Sequence, residues 1–199
     1  MTDQQLRKNR LFIVLIFGMA VIPVLLAWAM GGKAPFIAGR TNKGQLISPV
    51  VATERSDLMG IDRFSSDNIA ELKGHWVMLN VVPQAECNNL CLEAIHKTKQ
   101  LRLMLNKDLT RTRRAVIFFK DVNLATANQW LQDDKVLLRV KPSIAIAKKI
   151  AEIRKGNLSD GLLLLMDPMG NLMMQYEPGF DPYKVKSDLM HLLRISQIG

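Results

Sequence analysis

His75–Val82 (HWVMLNVV), then Pro83, then Gln84-Ala85-Glu86-Cys87-Asn88-Asn89-Leu90-Cys91, is the stretch that decides the fold. Its first eight residues are apolar enough to read as a strand buried on both faces. Pro83 ends the strand, and the chain's two cysteines follow at once. Leu90–Asn106 then carries helical periodicity, with Cys91, Ala94, Ile95, Thr98, Leu101 and Leu105 on one face at i, i+3, i+4 spacing. A buried strand delivering a cysteine pair to the start of a helix is an arrangement suited to thiol chemistry.

Downstream, Arg114–Phe119 reads as a second buried strand, Ala125–Leu131 as a short helix and Val136–Val140 as a third strand. Pro142 suits the first turn of a helix running to about Lys155 and closed by Gly156-Asn157. Leu162–Met166 and Asn171–Tyr176 read as a hairpin around the turn Asp167-Pro168-Met169-Gly170. Asp181-Pro182 then opens a last amphipathic helix with Val185, Leu189, Leu192 and Ile195 inward. Upstream, Asn42-Lys43-Gly44 predicts a turn into a strand Gln45–Val51 stopped by Pro49, and Asp57–Gly74 reads as irregular with one helical turn. The alternation of strands and helices predicts an α/β domain with parallel pairing at its centre.

Before this domain lie twenty uncharged residues, Leu11 to Met30, spanning roughly 30 Å as a helix, enough to cross a membrane. Ala27-Trp28-Ala29 fits the small-x-small pattern of a cleaved signal, but a signal's apolar stretch usually runs only about 7–15 residues. The reading adopted is a retained single-pass anchor, with Trp28 at its outer interface. Arg7, Lys8 and Arg10 place the head in the cytoplasm and everything after Gly31 outside. The head lacks transit-peptide character, which points to a bacterial inner membrane with a periplasmic C-terminal domain. The expected organisation is a cytoplasmic basic head (1–10), a transmembrane helix (11–30), a linker (31–44) and one domain (45–199).

The chain carries a formal net charge of +9. Much of the excess lies in Lys97, Lys99, Arg102, Lys107, Arg111, Arg113 and Arg114, a stripe that could meet anionic lipid or an acidic partner, or be a solvated face. An exported domain excludes nucleic acid as its partner.

Cys87 and Cys91 can be weighed as chemistry. Residues i and i+4 at a helix entry have Cα atoms near 6 Å apart, inside disulfide range. A helix N-terminus favours the thiolate, the nucleophilic and metal-binding form. An inert staple is the alternative, although closing so small a loop removes little chain entropy. Cys91 lies on the inward face, so Cys87 is the candidate attacking thiol and Cys91 the resolving one.

The element order with this cysteine motif looks like a thioredoxin-like fold, a central mixed sheet with flanking helices behind one transmembrane helix. The finer resemblance is to the Sco (SenC) family of membrane-anchored copper and thiol proteins, carried by Thr41–Pro49 (TNKGQLISP), Leu72–Val82 (LKGHWVMLNVV), Cys87-Asn88-Asn89-Leu90-Cys91 and Leu165–Leu172 (LMDPMGNL). The resemblance implies assistance to cytochrome c oxidase assembly, with an oxidase subunit or another respiratory assembly factor as partner, and copper held by both cysteines. In that family the third copper ligand is a histidine just upstream of the strand matching Leu162–Met166. Here that stretch is Gly156-Asn157-Leu158-Ser159-Asp160-Gly161, with Ser159 about where the ligand would stand.

The three histidines are poor substitutes. His75 starts the strand whose far end bears the cysteines, His96 lies about 140° round the helix from Cys91, and His191 belongs to the last helix. A methionine from the cluster Met166, Met169, Met173 and Met174 could serve as a soft third ligand if the hairpin lies near the cysteines. Pro168 follows Asp167 in a turn and is a doubtful counterpart of the proline that faces a thioredoxin pair. No Gly-rich phosphate loop, Gly-x-Ser-x-Gly elbow or His-Glu-x-x-His occurs.

Three readings stay open: thiol–disulfide exchange on an oxidase-assembly partner, a copper chaperone with two cysteines and a non-histidine ligand, or a redox-inactive partner-binding module. The topology is tested by a reporter active only outside the cytoplasm, which should work after Gly199 and fail before Leu11. A soluble mature form starting at Met30 would instead establish cleavage.

Overall fold

The computed structural model describes residues 3–31, 42–131 and 134–196. The chain divides into two units, Met1–Thr41 and Asn42–Gly199. The described part of the first is a helix, α1 (Asp3–Gly31), long and apolar enough to cross a membrane, with Pro23 inside it. It takes in most of the basic head as well as Leu11–Met30. Most of the expected linker, residues 32–41, lies outside the described residues.

In the second unit the elements run β1 (Gln45–Ala52), β2 (Leu58–Gly60), α2 (Arg63–Asn68), β3 (Trp76–Val82), α3 (Asn89–Leu103), β4 (Thr112–Phe118), α4 (Leu124–Leu131), β5 (Leu138–Pro142), α5 (Ile144–Ile153), β6 (Leu163–Met166), β7 (Asn171–Tyr176) and α6 (Pro182–Ile195). They form one seven-stranded sheet in the order β1-β7-β6-β3-β4-β5-β2. All seven residues of β3 are buried, as its apolar run requires. β3 is parallel to β4 over its whole length and antiparallel to β6, and β4 is parallel to β5, so the sheet is mixed with parallel pairing at its centre.

Alternation along β3 divides the core. Val77, Leu79 and Val81 face one side and pack with Ile146 and Ile150 of α5. Trp76 and Met78 face the other, against Leu101 of α3 and Val185 and Leu189 of α6. Val82 continues that second side into an apolar cluster with Cys87, Cys91, Ile95, and Ala127 and Leu131 of α4.

Four local expectations are corrected. Pro49 does not stop β1. The strand runs on to Ala52, and Pro49 falls where the pairing with β7 slips between Leu46 and Val51, on an outer strand where a missing amide is tolerated. Within Asp57–Gly74, Leu58–Gly60 is a strand, fixed only by its pairing with β5. Pro142 closes β5 opposite Leu58 instead of opening the helix, which is capped by Ser143 accepting from the Ile146 amide at 3.2 Å. In α6 Val185, Leu189 and Leu193 are buried and Leu192 packs half-buried against the same cluster, but Ile195 is 63% exposed, the inward face being rotated to take in the buried Asp188.

Asp188 explains that rotation. Its carboxylate accepts from the Lys43 amide at 2.8 Å, the Gly44 amide at 2.8 Å and the Tyr176 hydroxyl at 2.9 Å, and so ties the entry of the domain to its last helix. A Cβ on Gly44 would stand 2.6 Å from the Tyr176 ring, so only glycine admits this approach.

The basic stripe is not one continuous exposed face. Arg114 is 2% exposed on the inner face of β4, ion-paired with Asp134 and donating to the Ile95 carbonyl at 2.8 Å and Thr98 Oγ1 at 3.2 Å. Thr98 Oγ1 also accepts from Asn80 Nδ2 at 2.9 Å, so one hydroxyl pins α3 to both β3 and β4. Arg113 pairs with Glu71 at 2.5 Å, Arg111 with Asp108 at 3.3 Å, and Lys97 with Glu93 at 2.7 Å. The charges follow one another in sequence but serve different layers of the fold.

Removing one partner of a buried ion pair leaves the other charge uncompensated, at a cost of about 3–5 kcal/mol. Asp134→Ala should therefore lower the unfolding free energy of the detergent-solubilised chain by that amount in denaturant titration. The double change Arg114→Met with Asp134→Leu should cost clearly less.

Candidate thiol site

β3 ends at Val82 and Pro83, both buried, at the carboxyl edge of the central parallel strands, where α/β sheets gather their reactive groups. Gln84, Ala85 and Glu86 are exposed, and Cys87 and Cys91 then form a disulfide with Cα atoms 5.3 Å apart. Asn88 caps α3: its Oδ1 accepts from the Cys91 amide at 3.1 Å, and its carbonyl accepts from the Leu92 amide at 3.0 Å. The cap puts the bridge across the helix start, with Cys87 just before it and Cys91 in the first turn. Cys87 is 8% exposed and Cys91 1%. The attacking role assigned to Cys87 thus rests on a side chain at the margin of the core, less covered than Cys91 but not open.

The loop before β6 closes over this helix start. Val81 N donates to the Leu162 carbonyl at 3.0 Å, which fixes the loop's end beside the last turn of β3. Asn88 Nδ2 donates to Asp160 Oδ2 at 2.8 Å. Gly161 has φ +83°, and a Cβ there would lie 3.0 Å from the Leu90 carbonyl oxygen. Asp160 Oδ1 is buried without a hydrogen-bond partner among the described residues. Burial raises the Asp160 pKa above the usual carboxylate value, and the Asn88 hydrogen bond opposes that rise.

Sequence reasoning found the two cysteines and the loop but missed Asp160 and Asn88 as a bonded pair. They are 72 positions apart, and only the β3–β6 pairing brings them together.

The other proposed ligands lie elsewhere. Register places Met166 opposite Val77, so the turn of the β6–β7 hairpin sits at the entry of β3, away from the cysteines. Met169 there is 71% exposed, Met166 Sδ faces the Thr53 hydroxyl at 3.8 Å, and Met174 Sδ lies 2.9 Å from the Tyr176 hydroxyl oxygen. The expectation that this hairpin lies near the cysteines is overturned, because its strands run back along β3 from the far end. Pro168 is at that same end, its carbonyl accepting from the Gly74 amide at 2.8 Å. His75 is there too, its Nδ1 2.9 Å from the Glu71 carbonyl.

His96 lines a cleft of ≈ 270 Å³ between α3 and α4, with Leu92, Ile95, Lys99, Trp130 and Asp134 among its walls. His191 contacts Arg194 at 3.1 Å. Among the described residues no group of three or more His, Cys, Asp and Glu side chains is placed to hold a metal. Among the described residues no His, Asp or Glu joins the two bridged sulfurs in such a group, which does not fit the two-cysteine, one-histidine copper site that the Sco resemblance implies.

Comparison with protein families matches residues 76–196 to the family described as transmembrane-like, thioredoxin-like, C-terminal domain. The chain belongs to this family. Among solved structures it is similar to apo Sco1 of Thermus thermophilus, at 13% identity and a TM-score of 0.54, covering 78% of this chain and 99% of that one. Yeast Sco1 is similar at 14% identity and a TM-score of 0.50, covering 64% of this chain and 84% of that one. No curated protein matches the chain. At such identities the likeness establishes the fold: a Sco-like thioredoxin architecture preceded by an N-terminal apolar helix, without the histidine of a copper site in the 156–161 loop.

Asn88→Ala removes the helix cap and the contact to Asp160 together. It should cost about 1 kcal/mol in denaturant titration, with Asn88→Ser recovering most of the loss because a hydroxyl still caps.

Proposed function

We propose that this member of the transmembrane-like, thioredoxin-like family is a membrane-anchored thiol–disulfide protein that keeps the cysteines of a respiratory partner reduced during cytochrome c oxidase assembly. The observation that carries the reading is the Cys87–Cys91 bridge across the start of α3, at the carboxyl edge of β3. The Sco-like fold supports the choice of partner: an oxidase subunit or another respiratory assembly factor. Copper binds Sco-type relatives through a ligand this loop lacks, so no step here is routed through copper.

The exchange is a two-electron transfer. In the reduced form, Cys87 thiolate attacks a partner disulfide, forming a mixed disulfide and releasing one partner thiolate. Cys91, deprotonated to thiolate, then attacks Cys87 Sγ, which re-forms the Cys87–Cys91 bond and releases the second partner thiolate. The partner gains two electrons and its thiolates take up two protons, while the pair is oxidised. The N-terminus of α3 favours the thiolate that starts the sequence. In this proposal residues 1–10 lie in the cytoplasm, 11–30 span a bacterial inner membrane, and 45–199 form the periplasmic domain.

A second reading, a partner-binding module with a structural bridge, draws on the burial of Cys87 and Cys91 in one apolar cluster. One experiment separates the two. Cys91→Ala should trap a mixed disulfide between Cys87 and the natural partner. In the unaltered chain millimolar glutathione should open the bridge reversibly, at a cost of only about 1–2 kcal/mol, below the usual 2–4 for a stapling disulfide. A Cys91→Ala chain that traps no partner, or a domain that unfolds on reduction, would overturn the exchange reading in favour of the module.

A further inference from the structure

Among the described residues Asp160 is the one carboxylate bonded to Asn88 of the cysteine segment, and the exchange chemistry above leaves it unused. Its Oδ2 accepts from Asn88 Nδ2 at 2.8 Å, and Asn88 is both the residue after Cys87 and the cap that accepts from the Cys91 amide at 3.1 Å. Two hydrogen bonds therefore link the carboxylate to the backbone of Cys91. Its other oxygen is buried with no partner among the described residues.

The loop that carries Asp160 cannot easily withdraw. Its next residue, Gly161, is seated against the Leu90 carbonyl and Pro178, and Leu162 is bonded to β3. No cation neutralises the group: Asp160 has no ion pair among the described residues. Arg154, which reaches the same loop at the Asn157 carbonyl (3.2 Å), is held by Glu177 at 2.5 and 2.9 Å. Asn88 is thus the polar neighbour of the carboxylate, with no cationic side chain in ion-pair reach among the described residues.

We infer that Asp160 is a positioning residue for the thiol pair, acting through Asn88 to fix the cap over Cys91 and to hold its own negative charge one side-chain amide away from the cysteine segment. A like charge close to a thiol disfavours the thiolate and raises the thiol pKa. It thereby destabilises the reduced pair relative to the neutral disulfide, and makes Cys87 and Cys91 the stronger reductant. The effect opposes the α3 dipole, which alone would favour thiolate. The inference rests on the proposed exchange function and assigns the direction in which the pair is poised.

The test is the thiol pKa and reduction potential of the full chain in detergent. The wild type, Asp160→Asn and Asp160→Ala are each equilibrated in buffers of reduced and oxidised dithiothreitol. These buffers yield a potential whether or not glutathione opens the bridge, so the result does not depend on the outcome of the glutathione experiment. The Asn variant keeps an acceptor for Asn88 and removes only the charge. It should shift the dithiol–disulfide equilibrium toward the dithiol by about three- to tenfold and lower the Cys87 thiol pKa, with unfolding little changed. The Ala variant should show the same shift together with a loss of stability. If Asp160→Asn matches the wild type in potential and thiol pKa, the charge plays no part and the inference is wrong, even if the glutathione test succeeds.

Discussion

β3 is covered on both faces and paired along both edges, and the rest of the domain follows from satisfying it. Its seven buried residues leave no solvated side. The α5 layer must close over Val77, Leu79 and Val81, while α3, α4 and α6 must close over Trp76, Met78 and Val82. Its backbone groups need partners on both sides, supplied by β4 in parallel and β6 antiparallel. A strand so enclosed has only its ends free, and its carboxyl end carries the cysteines.

The same enclosure accounts for the polar groups inside the second layer. Asn80 and Arg114 point from β3 and β4 toward α3, where an apolar helix would leave them unpaired. Thr98 meets both, and Asp134 compensates the guanidinium. Burial lowers the Arg114 pKa, with Asp134 opposing the shift. The result is a fixed rotation of α3 about its axis, and with it a fixed position for Cys91, one helical face away from His96. The network behind the helix thereby aims the cysteines in front of it.

At the site itself two segments remote in sequence meet over the helix start. The cysteine segment brings a cap, and the 156–161 loop brings a carboxylate and a glycine that permits close approach. The resemblance to the Sco family implies a metal ligand in this loop. Here it supplies Asp160 to Asn88, a contact suited to tuning thiols.

The strand–helix order, the cysteine pair at a helix entry, the apolar N-terminal helix and the missing histidine were all legible from residue type and spacing, because burial period, capping and turn chemistry act within a few residues. Asn171–Tyr176 and the turn before it needed nothing more. What sequence could not reach depends on partners far along the chain. Leu58–Gly60 becomes a strand only because β5 offers an edge, and Pro49 sits in a strand because its slip falls on an outer one. A run of basic residues separates into a core ion pair and surface pairs once the α3 and β4 faces are set. The methionine hairpin goes to the far end of the sheet because its register with β3 runs antiparallel, and that same register carries Asp160 to Asn88. Local chemistry decided which elements form, and long-range pairing decided which side chains meet.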